Sequence, residues 1–208
     1  MSTSLLHGPY LLLDEQWSPN LSLLHIVEIA TKCGVRLFQY RNKIDSMLDC
    51  FQKGMVLRKA VADAHATFIV NDRCDLALAL EADGVHLGQD DLPLEDARNI
   101  LGEKKIIGIS THRPEEVIAA TKGGADYIGF GPIFPTTTKA DHEPVVGITG
   151  LKRVRSLTTL PIFAIGGITV ESVPAIQQAG GNGVAIASVV YHSKNVEQTF
   201  HQLVKLFS

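Results

Sequence analysis

Two carboxylates, Asp72 and Asp91, and three cations, Arg41, Lys43 and Lys139, each stand just downstream of a short apolar run in this chain. Paired carboxylates with other oxygen donors nearby suit Mg²⁺, a hard cation that keeps several waters and often shares its sphere with a substrate phosphate. Cations around such a pair add charge-assisted contacts to phosphate oxygens, so the set reads as a metal–diphosphate clamp. Two later apolar runs end in small residues, Gly166-Gly167 and Ala187-Ser188. Bare backbone exposes N–H groups there, and the helix N-termini that follow would add positive dipole ends, which suits a phosphate. Each feature has a blander reading. Asp72 could cap the next helix, Asp90 or Asp91 could cap a turn before Pro93, and Gly166-Gly167 could be a tight turn only. None of these explains why the cations gather at equivalent places along the chain.

Two kinds of segment alternate and must position these groups. Strand-like runs are read at Pro9–Leu13, Arg36–Tyr40, Thr67–Val70, Gly84–Leu87, Ile106–Ile109, Tyr127–Phe130, Ile162–Ile165 and Gly183–Ala187. Helix-like stretches fall at Asn20–Cys33, Asp45–His65, Arg73–Leu80, Leu94–Leu101, Pro114–Lys122, Gly150–Leu157, Val170–Ala179 and Asn195–Leu206. Asp72, Pro93, Pro114 and Thr169 serve as their start signals. The strands are apolar on both faces, as a parallel sheet covered by helices requires. Strict alternation gives right-handed crossovers, and eight repeats in 208 residues leave about 26 per unit. An open sheet of this kind usually uses fewer strands, so the expectation is one (β/α)₈ TIM barrel over residues 1–208. Active sites in such barrels lie where the strands end, so the groups named above share one mouth.

Composition narrows the class. Hydrophobic residues make up 45%, and Lys+Arg of 19 against Asp+Glu of 22 gives a net charge of −3. These values exclude intrinsic disorder and leave no cationic footprint for nucleic acid. The apolar stretch Tyr10–Leu13 ends at Asp14-Glu15, too short for a membrane span or a secretory signal. Cys33, Cys50 and Cys74 are an odd, scattered set that fits buried thiols in a reducing compartment, so a cytoplasmic location is expected.

Other residues carry less. His86 lies inside an apolar strand and reads as a packed, hydrogen-bonded histidine. His112 is at the rim, where a ligand contact and a solvated loop are both open. His192 and His201 read as surface, Met47, Met55 and the phenylalanines as core, and Arg58-Lys59 as solvated. No Ser-His-Asp order, metalloprotease helix motif or dinucleotide fingerprint is present.

Taken in order, Gln39-Tyr40-Arg41-Asn42-Lys43, Asn71-Asp72, the stretch 84–91 (GVHLGQDD), the stretch 129–139 (GFGPIFPTTTK), Ile165-Gly166-Gly167-Ile168 and the stretch 183–188 (GVAIAS) resemble the thiamine-phosphate synthase family. The likeness runs from the first strand to the last, and the Pro-Thr-x-Thr-Lys loop is its most specific part. It implies an enzyme that joins a pyrimidine diphosphate to a thiazole phosphate and releases diphosphate, with Mg²⁺ held by Asp72 and Asp91. The implied substrate-binding set is Gln39, Tyr40, Arg41, Asn42, Lys43, Asn71, Ser110, Thr136, Thr137, Thr138, Lys139, Gly167, Ala187 and Ser188. Lys139, Ser110, Arg41 and Lys43 would take the catalytic roles. Within it, Gln39, Arg41, Lys43 and Asn71 would hold the pyrimidine diphosphate, Ser110 would lie against the pyrimidine, and Lys139 would reach the leaving group. Thr136 and Thr138 would hold the thiazole phosphate, with Gly167, Ala187 and Ser188 giving backbone contacts.

The sequence departs slightly from the family pattern. Asn42 stands where an acid is common and Asp90 where Glu is frequent, and the loop 140–146, which varies in such proteins, is read as a lid. The family also implies a homodimer as one possible assembly. Two rivals remain. The sister thiazole tautomerase uses the same barrel without metal and is expected to lack the Asn-Asp pair and the Thr-x-Thr-Lys loop. It is also expected to carry a catalytic His in that sixth-strand loop, where this chain has Ile133-Phe134 and no histidine until His142. A non-catalytic phosphate-binding barrel would keep Gly166-Gly167 but has no need of Asp72, Asp91 and Lys139 together.

Overall fold

Period-two alternation along each strand decides what this chain can close around. Tyr10 and Leu12 point one way and Leu11 and Leu13 the other, and both pairs are buried. A parallel sheet hides both faces when helices cover it, and here it does so rolled shut with the helices outside. The computed structural model describes residues 6–18, 21–136 and 144–208. It contains β1 (Gly8–Leu13), β2 (Leu37–Tyr40), β3 (Thr67–Asn71), β4 (Gly84–Leu87), β5 (Ile106–Thr111), β6 (Tyr127–Phe130), β7 (Ile162–Ile165) and β8 (Gly183–Ile186). All pair parallel in chain order, and β8 closes on β1 with Gly8 opposite Gly183 and Leu11 opposite Ile186. The protein is a (β/α)₈ TIM barrel.

The wrapping helices are α1 (Leu23–Lys32), α2 (Met47–Asp63), α3 (Cys74–Ala79), α4 (Leu94–Leu101), α5 (Pro114–Gly123), α6 (Gly147–Arg155), α7 (Val173–Gln178), α8 (Ser188–Tyr191) and α9 (Val196–Lys205). Ser22, Ser46 and Asn195 cap α1, α2 and α9 with side-chain oxygens that accept N–H groups of the first turn. Pro114 opens α5, where its missing N–H costs nothing. Outward strand residues such as Phe38, Val70, Val85 and Ile128 form the main core against the helices. Inward residues Tyr10, Leu12, Leu37, Ile69, Tyr127 and Phe163 form a second, smaller core within the barrel.

Several boundaries differ from the sequence reading. The fifth strand continues to Thr111, so Ser110 sits in regular strand rather than loop. The stretch 170–179 divides into a 3₁₀ turn at Val170–Ser172 and the six-residue α7, while the four-residue α8 has no counterpart in the pattern. Asp72 does not cap α3, whose cap position is Arg73. Met47 and Met55 are exposed rather than core, because they lie on the solvent side of α2. The three cysteines are buried and unpaired, and no helix among the described residues is long and apolar enough to cross a membrane.

Candidate active site

The C-terminal ends of the strands surround a cavity of about 790 Å³, a size that suits small-molecule ligands. Its charged half comes from the loops after β1 to β4. At the end of β2 the Arg41 amide donates to Leu13 O (2.9 Å), which draws the chain toward β1. The Arg41 guanidinium then pairs with Asp14, only 2% exposed, and lies 5.0 Å from the centre of the Trp17 ring. An arginine held by a buried acid and an aromatic face keeps one direction at little further entropic cost.

Lys43 reaches across to Asp72, with Nζ 2.8 Å from the carboxylate. Asp72 occupies left-handed backbone, with φ +63, a conformation that costs a non-glycine residue and tends to persist where it aims a functional group. Its amide is fixed by His86 O at 2.8 Å. Asp91 tightens the turn after β4, where its Oδ2 accepts the Gly88 N–H at 2.6 Å. Burial, and then the neighbouring Asp72 carboxylate, push the Asp91 carboxyl above its ordinary range, while the Gly88 amide and Lys43 work against that. Asn71 lines the cavity beside them. Two carboxylates that crowd each other this way are short of positive charge. Oxygen-only donors beside open cavity fit a hard divalent cation that completes its shell with water and phosphate. Among the described residues no cluster of three or more His, Cys, Asp and Glu could enclose a metal by itself.

The other half of the rim is built from backbone. Gly166 and Gly167 have φ of +94 and +62, and a Cβ on either would come within 2.5 Å of Pro132 or Pro135. The loop after β6 is laced to them, with Ile133 N–H donating to Ile165 O (2.8 Å) and Phe134 N–H to Gly166 O (3.0 Å). Both glycines therefore serve a tight turn and also line the cavity, so the two readings of this pair are compatible. The helices that follow are short, six residues in α7 and four in α8. That corrects the expected dipole contribution: a phosphate here would rest on backbone amides and not on a long helix. Thr136, Ala187 and Ser188 complete this half. Thr137, Thr138 and Lys139, and the loop 140–146 as far as residue 143, lie outside the described residues.

Three of the candidate residues do not reach the cavity. Tyr40 points outward between barrel and helices, where its hydroxyl donates to Cys50 O at 3.2 Å. Asn42 folds its own loop: its Oδ1 accepts the amides of Ile44 and Asp45, and its Nδ2 donates to Asp45. Gln39 is turned into the barrel below the cavity, 4% exposed, and its Nε2 donates to Tyr10 OH at 2.6 Å. Ser110 does line the cavity, and its hydroxyl meets His86 Nε2 at 2.9 Å. His86 is packed and hydrogen-bonded, as its position inside a strand suggests, yet it touches a site residue.

Sequence reasoning passed over Asp14 and Trp17, which orient Arg41. It also left His112 open. His112 lines the cavity with Nδ1 2.7 Å from Gly131 O, so that nitrogen donates to the carbonyl. Its backbone amide donates to Glu116, which also pairs with Arg113. The signal for Asp14 was available, since an acid directly after the first strand occupies a rim position by the same rule that selects Asp72.

The family model for thiamine monophosphate synthase matches residues 9–190. The chain belongs to this family. A thiamine-phosphate synthase of Shouchella clausii is 40% identical over 195 residues, covering 94% of this chain and 93% of that relative. One from Synechococcus sp. is 43% identical over 196 residues, but the chain spans only 55% of that longer relative's length. Among solved structures, thiamine phosphate pyrophosphorylase from Pyrococcus furiosus superposes with a TM-score of 0.89 at 32% identity, covering 99% of this chain and 98% of that one. Family membership accords with the synthase loop after β6, whose described residues 131–136 contain no histidine, against the tautomerase expectation.

Proposed function

We propose that this chain condenses 4-amino-2-methyl-5-hydroxymethylpyrimidine diphosphate with 4-methyl-5-(2-hydroxyethyl)thiazole phosphate, giving thiamine phosphate and diphosphate. One observation carries the reading: Asp72 and Asp91 share the cavity with Lys43, 2.8 Å from Asp72, and with Arg41 oriented by Asp14. Asp72 and Asp91 would hold Mg²⁺, which when bound supplies positive charge to the diphosphate as it departs.

The remaining work belongs to the chain's own groups. Breaking the carbon–oxygen bond leaves charge on the diphosphate, and Arg41 and Lys43, with Lys139, are the cations to meet it. The aminopyrimidine can carry the positive charge left on its methylene carbon, and the thiazole nitrogen captures that carbon. No general base is required. Ser110 would orient the pyrimidine, Asn71 the diphosphate, and Thr136 with Gly167, Ala187 and Ser188 the thiazole phosphate. The walls of the cavity would have to exclude water that would otherwise trap the cation. Buried free thiols suit a reducing cytoplasm as the place of reaction, and a homodimer is the assembly we expect.

Incubation with both substrates and Mg²⁺ should yield thiamine phosphate by mass. No product under these conditions would reject the assignment. Thr136→Ala should raise the thiazole KM about ten-fold with the pyrimidine KM unmoved. A selective rise in the pyrimidine KM would reverse the placement of the two substrates.

A further inference from the structure

Below the cavity, one hydrogen-bonded chain crosses the barrel interior from β2 to β5. Gln39 Nε2 donates to Tyr10 OH at 2.6 Å, and Tyr10 OH meets Tyr127 OH at 2.8 Å. Tyr127 OH meets His86 Nδ1 at 3.0 Å, and His86 Nε2 meets Ser110 Oγ at 2.9 Å. Only the last member faces the cavity. The strands leave room for the chain by lacking side chains. A Cβ on Gly108 would lie 2.0 Å from the ring carbon that bears the Tyr127 hydroxyl, and one on Gly129 would lie 3.3 Å from the His86 ring. Tyr10, Tyr127 and Phe163 pack edge to face with centroids 5.2–5.8 Å apart, which holds the two phenols in place.

A phenol has one hydrogen to give, so the chain has a direction. With every hydroxyl hydrogen used inside the chain, Tyr10 receives from the Gln39 amide and donates to Tyr127. Tyr127 receives from Tyr10 and must donate to His86 Nδ1. An imidazole that accepts at Nδ1 is neutral and carries its proton on Nε2, from which it donates to Ser110. Ser110 therefore cannot spend its own hydrogen on His86. Burial raises both phenols above their ordinary range, so each keeps the proton this scheme requires.

We propose that Tyr10, Tyr127 and His86 are positioning residues that fix Ser110 as a hydrogen-bond donor into the cavity, and so select a substrate presenting an acceptor lone pair there. This rests on the pyrimidine reading above: a ring nitrogen of that substrate is the acceptor in question. It adds that the preference is set by partners below the cavity, beyond reach of the ligand.

The test has a part that needs no turnover. ¹⁵N-histidine NMR of the ligand-free chain, with the His86 signals assigned by their loss in His86→Gln, should show an unprotonated Nδ1 and a protonated Nε2. A proton on Nδ1 would overturn the proposal. Tyr127→Phe keeps the ring packing and deletes the link, so the His86 tautomers should mix. The pyrimidine diphosphate KM should rise about ten-fold while the thiazole phosphate KM stays put. An unchanged pyrimidine KM, or an equal rise in both constants, would mean that the chain only stabilises the fold. His86→Gln retains an N–H toward Ser110 and should hold the pyrimidine KM within a few-fold, whereas His86→Leu should not. Equal behaviour of those two variants would also overturn it. Should Tyr127→Phe fail to fold, the His86 pair decides the kinetic question. If the wild-type chain makes no thiamine phosphate, the proposed function falls while the NMR result still decides the direction of the chain.

Discussion

The two halves of the cavity rim solve different problems with different parts. Around β1 to β4, charged side chains face the cavity and each is held by another group: Arg41 by Asp14, Lys43 by Asp72, and Asp91 by the Gly88 amide. Around β7 and β8 the rim is backbone with small side chains, shaped by two glycines in left-handed conformation. A diphosphate that leaves during the reaction gains charge, and side-chain cations beside a metal site can answer that change. A phosphate that is only held needs amides at fixed positions, which a rigid turn supplies without mobile charge. Substitutions in the first half should therefore act on rate, and those in the second on binding and on the turn.

The largest effect is expected at the acids. Asp72→Ala should lower kcat about a hundred- to a thousand-fold, with the folded state intact by circular dichroism. A variant that retains near wild-type kcat would move the charge-handling centre elsewhere. Next comes the support beneath Arg41. Asp14→Ala strands the guanidinium beside a vacated, nearly dry site and should cost about 3 kcal/mol in urea unfolding. A negligible cost would mean that the Trp17 face alone holds Arg41.

Gly166→Ala probes the backbone half. With φ at +94 and Pro132 2.5 Å from the added carbon, it should cost about 2 kcal/mol and raise the thiazole phosphate KM. A fall in kcat with that KM unchanged would erase the contrast between the halves. The smallest effect lies at Glu116. Burial works to raise its carboxyl, but the His112 amide and the Arg113 contacts outweigh that and hold it below the ordinary value. A depressed carboxyl stabilises the fold above its unfolded value and loses that contribution as pH falls through the folded one. Glu116→Gln should therefore flatten the acid side of the stability profile by about 0.5 kcal/mol, measured by denaturation at neutral and acid pH.

The fold was legible because eight strand-like runs alternate with helical stretches and most of them carry apolar residues on both faces, as a wrapped parallel sheet requires. That Arg41, Lys43, Asp72 and Asp91 share one cavity was legible because strand ends are where such barrels do chemistry, whereas Lys139 lies outside the described residues. Tyr40 was misassigned although the signal lay in the pattern: side chains alternate, so once Gln39 points inward its neighbour cannot face the same way. Asn42 was drawn in by proximity, whereas Asn two residues after a strand often folds its own turn. The chain from Gln39 to Ser110 was not legible. It joins Tyr10 to Tyr127 across the barrel, 117 residues apart, and depends on a register that no local pattern encodes.

The most direct test of the division between the halves is diphosphate release with both substrates present, measured for the wild-type chain with Mg²⁺ and again with excess chelator. Release should require the metal and stop in chelator. Sustained release in chelator would contradict the assignment of Asp72 and Asp91 and, with it, the account of the charged half.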